Sequence, residues 1–107
     1  HPAWVPPGYV FESVALLPYR GATILHYRWS DGVDALSLFQ APSRVSVKPA
    51  PGGAPRPEKV GAAPARLTLN ADGRALEWAA EGRFVLVGRL SLEDLRRVAA
   101  SVPAGKP

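Results

Sequence analysis

Up to residue 90 the apolar positions of this chain come in short runs punctuated by turn residues, and beyond it the period lengthens. "GYVFESVALLPY" (8–19) alternates imperfectly, with Val10, Val14 and Leu16 on one parity and Phe11, Ala15 and Leu17 on the other. Such a run suits a strand covered on part of both faces. "GATILHYRW" (21–29) is dense in β-branched and aromatic residues, which favour strands. Asp31-Gly32 follows as a hairpin signal, because glycine takes the positive φ that side chains resist. "VDALSLFQA" (33–41) returns as the next strand. Further on, turns at Asp72-Gly73 and Glu81-Gly82 separate "ARLTLN" (65–70), "RALEWAA" (74–80) and "RFVLVGRL" (83–90). About six strands joined in this way predict an antiparallel meander.

"LSLEDLRRVAASVP" then places Leu92, Leu95, Val98, Ala99 and Val102 at helical spacing. Ser91 is a suitable N-cap, with Asp94 where a capping-box acid reaches back and Leu90 and Leu95 at the spacing of a hydrophobic staple. Glu93 and Asp94 complement the positive end of the helix dipole, and Pro103 ends the helix by disfavouring the α region at Val102. One amphipathic helix must bury its stripe, and the sheet is the available surface. The fold class expected is therefore α+β: a mainly antiparallel sheet of about six strands with one C-terminal helix packed on one face. Leu86, Leu92, Leu95, Val98 and Trp78 are its expected core.

The segment between the third and fourth of these strands breaks the pattern. Between Arg44 and Arg66 stand Arg44, Lys48, Arg56, Lys59 and Arg66 against Glu58 alone, so the whole net charge of +4 sits here. Residues 42–64 also hold six of the twelve prolines. A stretch so poor in large apolar groups cannot offset its ordering entropy by burial, which predicts a long loop over about 44–64. Loops of that length are either tolerated insertions or functional. In the second case this one is a basic arm that touches an acidic partner or an anionic surface, with those five cations as the partner-binding residues.

The 107 residues suffice for a single domain with one core. The sequence contains no run of 18 apolar residues, so no membrane-spanning helix is expected. With no cysteine there is neither a disulfide framework nor a thiolate. With no methionine even at position 1, the chain is expected to be a processed protein or a fragment of a longer one.

Chemistry is sparse. His26 has no second histidine at metal-ligand spacing, so no metal is expected. Asp31 and Asp34 lie near His26, but no nucleophile elbow accompanies them. Glu12, Glu77 and Glu81 are scattered rather than paired, and Gly52-Gly53 lack the Lys-Ser/Thr of a phosphate cradle. His26 reads as a strand residue facing solvent or a sheet edge. Tyr27, Trp29 and Trp78 would suit a stacking platform. The basic residues, however, are diluted in a loop rather than arrayed with aromatics, which argues against nucleic acid. Trp78 reads instead as core, and Trp29 as the cover of a hairpin end. Neither an enzyme nor a cofactor is indicated.

Three segments together resemble the C-terminal domain of the MucB/RseB family of sigma-E regulatory proteins. Trp4, Pro6 or Pro7, Gly8 and Tyr9 match its opening. Tyr27, Ser30, Asp31, Gly32, Leu36, Ser37, Leu38 and Phe39 match its hairpin, with Arg28-Trp29 in place of a simpler step. Gly88, Leu90, Ser91, Leu95, Val98, Ala99 and Ser101 match its close. Only the basic segment falls outside the resemblance. The resemblance implies an extracytoplasmic domain of a two-domain parent that binds the extracytoplasmic segment of an anti-sigma factor and protects it from proteolysis. It also implies a missing N-terminal domain similar to lipoprotein carriers. The alternative is accordingly an accessory domain of a lipid- or lipoprotein-carrier-like envelope protein.

Overall fold

A computed structural model describes residues 2–42, 55–70, 73–80 and 82–102. The strands are β1 (Val10–Tyr19), β2 (Ala22–Ser30), β3 (Ala35–Ala41), β4 (Arg56–Val60), β5 (Ala63–Asn70), β6 (Gly73–Ala79) and β7 (Arg83–Gly88), and the helix α1 is Leu92–Ala100. All pairings are antiparallel in one sheet of order β1-β2-β3-β7-β6-β5-β4. Two meanders, β1-β2-β3 and β4-β5-β6-β7, thus join where β3 pairs with β7, which leaves β1 and β4 at the edges. The α+β class expected from the apolar rhythm is the class found.

The sheet carries the core on its helix-facing side. Cross-strand partners share a face, and the register runs Trp29↔Leu36, Leu38↔Leu86, Leu86↔Leu76, Leu76↔Leu67 and Phe84↔Trp78. These side chains are all buried, together with Leu95, Val98 and Ala99 of α1. Trp78 stacks on Phe84 with ring centroids 5.3 Å apart. Of the expected core, Leu86, Leu95, Val98 and Trp78 are buried, while Leu92 is partly buried at the rim. Trp29 differs from its expected place. It lies in the core at 5% exposure, edge-on to Phe11 and stacked near Tyr27.

The helix begins as its sequence indicates, with Ser91 Oγ accepting from the Asp94 amide at 3.1 Å. It stops at Ala100, short of the expected end. The amides of Ser101 and Val102 donate to the carbonyls of Val98 and Ala99, a tightened last turn. Ser101 then ties down the N-terminal segment. Its carbonyl accepts from the Ala3 amide at 2.9 Å and its hydroxyl from the Trp4 amide at 3.1 Å. The same hydroxyl donates to Val98 O at 2.7 Å. The Trp4 ring lies under the Arg97 guanidinium, 4.1 Å from its centroid, a cation–π contact.

Two expectations are corrected. The 44–64 loop does not extend to 64, because Arg56–Val60 forms β4 and Ala63 opens β5. Residues 43–54 lie outside the described residues. What draws 56–60 into the sheet is Val60, buried at 8% in the core, with Glu58 3.8 Å from Arg96 of α1. This hairpin accounts for a seventh strand where six were expected. The second correction concerns 8–19. That run is not covered on both faces; it is an edge strand along which Val10, Phe11, Val14, Leu16 and Leu17 are all exposed.

Candidate interaction site

The residues that carry the family resemblance turn out to build the scaffold. At Gly88 an added Cβ would lie 2.8 Å from Cδ1 of the fully buried Leu36, which would have to shift to admit it. Leu90, Leu95, Val98 and Ala99 are core, Ser91 caps the helix, and Ser101 receives the Trp4 strap. In the β2–β3 turn the Asp31 carboxylate accepts from the amides of Val33 at 2.9 Å and Asp34 at 2.7 Å. Those bonds hold its pKa below the usual carboxylate range. Tyr9 is pushed up, first by burial and then by Asp31 and Asp34.

His26 lies on the sheet face away from the helix. Its Nε2 is hydrogen-bonded to Ser37 Oγ across β2–β3 at 2.9 Å, and its ring stacks on Phe39 at 4.3 Å. Burial lowers its pKa, with Arg28 adding to the effect. In the sequence Ser37 stands out only as part of the hairpin resemblance and not as a partner of His26; the β2–β3 register brings the two together. Among the described residues no carboxylate is hydrogen-bonded to the pair: Asp31 is committed to its turn and Asp34 faces Arg89 at 3.9 Å. Among the described residues no three His, Asp or Glu side chains group closely enough to hold a metal ion. Among the described residues no helix is long and apolar enough to cross a membrane.

The five cations expected to meet a partner do not gather into one described patch. Arg44 and Lys48 lie outside the described residues. Arg56 and Lys59 are exposed on β4. Opposite parity places Arg56 on the helix side and Lys59 on the other. Arg66 on β5 shares the Lys59 side but is paired with Glu77 at 2.7 Å.

The two edges of the sheet differ in kind. Arg20 and Gly21 both have positive φ, at 49° and 79°, so Tyr19 and Ala22 close a two-residue turn of the I′ type. The residues that close such a turn are hydrogen-bonded to each other, and the pattern alternates from there. Tyr19, Leu17 and Ala15 therefore bond to β2, while Pro18, Leu16 and Val14 turn their backbone groups outward. By the same count from Val60↔Ala63, the outward residues of β4 are Lys59 and Pro57. Proline has no N–H to offer, and lysine at an edge discourages pairing. The β4 edge is blunted in this way, whereas β1 presents the N–H and C=O of Val14 and Leu16 between exposed apolar side chains.

The antiparallel meander, with the one helix of the described residues strapped to the N-terminal segment, has a fold similar to that of chains of the MucB/RseB type. The likeness extends end to end. A chain of the MucB–MucA(peri) complex matches at TM-score 0.57 and 20% identity. A chain of the Pseudomonas aeruginosa MucA/MucB complex matches at 0.58 and 19%. Each match covers 100% of this chain and 36% or 35% of the neighbour, so the chain spans about a third of their length. No family model and no curated protein matches the sequence.

Proposed function

We propose that this chain is a non-catalytic, extracytoplasmic regulatory interaction domain that binds the extracytoplasmic segment of an anti-sigma factor. The observation that carries this reading is the end-to-end likeness to chains solved as MucB with MucA(peri). The location of the basic residues adds a route. Arg56 and Lys59 stand exposed on the β4–β5 hairpin, and together with Arg44 and Lys48 they steer an acidic partner segment. Steering of this kind acts mainly on the association rate and is screened by salt.

The test is calorimetry with a purified extracytoplasmic fragment of the single-span anti-sigma factor encoded beside this chain's gene. Binding is expected, with affinity several-fold weaker at about 300 mM than at about 50 mM salt. The double variant Arg56→Glu, Lys59→Glu should weaken it further and flatten the salt dependence. If no complex forms, or if no such factor is encoded there, the reading fails.

A further inference from the structure

The structure assigns a carboxylate-binding site to the sheet face away from the helix, where Arg66, Glu77 and Arg83 border a hollow at one end of β5, β6 and β7. This site is argued without reference to the proposed anti-sigma partner. A cavity of about 250 Å³ lies there, walled in part by Pro64, Arg66, Glu77, Ala79 and Arg83. The register accounts for the hollow. Ala79 and Ala41 flank Arg83 on the neighbouring strands, and Arg66 stands opposite Glu77. Cross-strand partners share a face, so the long Arg83 side chain has an alanine on either side at its own level.

Two observations point to the ligand. The first is Arg83 Nε, which is shut off from solvent and makes no hydrogen bond. A buried donor of a charged group in this state has lost its water without gaining a partner. Among the described residues no carboxylate lies within ion-pair distance of Arg83, and Glu77, which shares the cavity wall, is committed to Arg66 at 2.7 Å. The second is charge. Lys59 is exposed opposite Pro64, so among the described residues Lys59, Arg66 and Arg83 surround the hollow against the carboxylate of Glu77. The Nε–Nη edge of a guanidinium presents two parallel N–H groups that match the two oxygens of a planar carboxylate. Arg83 as a whole is only half-buried, and a turn of its guanidinium faces that edge into the cavity it lines. Glu77 in the wall disfavours a doubly charged phosphate by repulsion. The carboxylate comes either from an acidic side chain of a peptide or from a small free acid.

The test is NMR titration of the chain with propionate, and separately with the blocked peptide acetyl-Gly-Glu-Gly-amide, at a constant ionic strength of about 150 mM. The Nε–H resonance of Arg83, identified by its loss in Arg83→Lys, should shift saturably with both, as should the backbone amides of Ala79 and Val85. In Arg83→Lys those amides should report binding at least about fivefold weaker, because an ammonium does not present the paired N–H groups. Glu77→Gln, which removes the competing charge, should tighten binding about twofold, a gain that misfolding does not produce. Equal or tighter binding of the peptide assigns the site to an acidic side chain, and tighter binding of propionate assigns it to a free acid. The absence of a saturable shift, equal shifts with chloride or with the glutamine version of the peptide, or unchanged affinity in Arg83→Lys overturns the site. Inorganic phosphate that binds more tightly than either carboxylate overturns the assigned ligand class.

Discussion

Truncating Trp78 to alanine tests the whole account of the core. The ring is 5% exposed, lies between the sheet and α1, and stacks on Phe84. A buried tryptophan removes about 150–250 Å² from water, which at about 25 cal/mol/Å² bounds its contribution near 4–6 kcal/mol. The neighbours are strand residues pinned by their ladders, so the site collapses poorly. The expected loss is therefore about 3–5 kcal/mol, in line with other large-to-small changes in cores. A domain of this size has a total stability on the order of 5–15 kcal/mol, so the variant should sit near the edge of folding. Urea titration followed by far-UV circular dichroism measures the loss, since the fluorescence of Trp4 and Trp29 would confuse a tryptophan readout. With a slope of about 1.5 kcal/mol/M the midpoint should fall by roughly 2–3 M. Pairing the change with Phe84→Leu should reveal a coupling of about 0.5–1.5 kcal/mol from the stacked rings. A loss under about 1 kcal/mol would refute the placement of Trp78 under the helix.

Three other outcomes are expected. Gly88→Ala drives a Cβ to 2.8 Å from the fully buried Leu36 and should cost about 1–3 kcal/mol by overpacking, measured in the same titration. Gly73→Ala should cost more, because its φ of 122° suits glycine and its Cβ would approach Gly88 O to 2.5 Å. Val60→Ala should cost about 1–2 kcal/mol from the lost methyl groups; no effect would show that β4 is not part of the core. On acidification, Asp31 has a folded pKa below its ordinary 3.8 and His26 one below its ordinary 6.5. For both groups the unfolded chain takes up protons first, so their stabilising contributions are complete above those ordinary values and are lost as the pH falls through the lowered ones. The urea midpoint should therefore decline from pH 7 to pH 3. Asp31→Asn should flatten the acidic limb, and His26→Gln the step below pH 6.5.

By itself the chain determined its elements wherever the signal is local. The helix from Leu92 was legible because Ser91, Asp94 and the apolar stripe all act within a few residues of one another. The six expected strands, found as β1, β2, β3, β5, β6 and β7, were legible for the same reason, as was the α+β class. The β4 hairpin was not, because Pro55, Pro57 and the charges of 56–59 argue against a strand when read alone. They fit one only at a sheet edge, with Pro57 turned outward and Val60 reaching a core assembled from distant segments. The His26–Ser37 pair likewise exists through register, since a one-residue slip of β2 on β3 would part them. The placement of β1 was decided by topology. Its apolar residues read as two buried faces, and nothing within residues 8–19 reveals that β3 turns away to pair with β7 and leaves β1 with one neighbour. Which strand lies at an edge depends on the pairing of segments remote in sequence, and short-range patterns carry no information about that pairing.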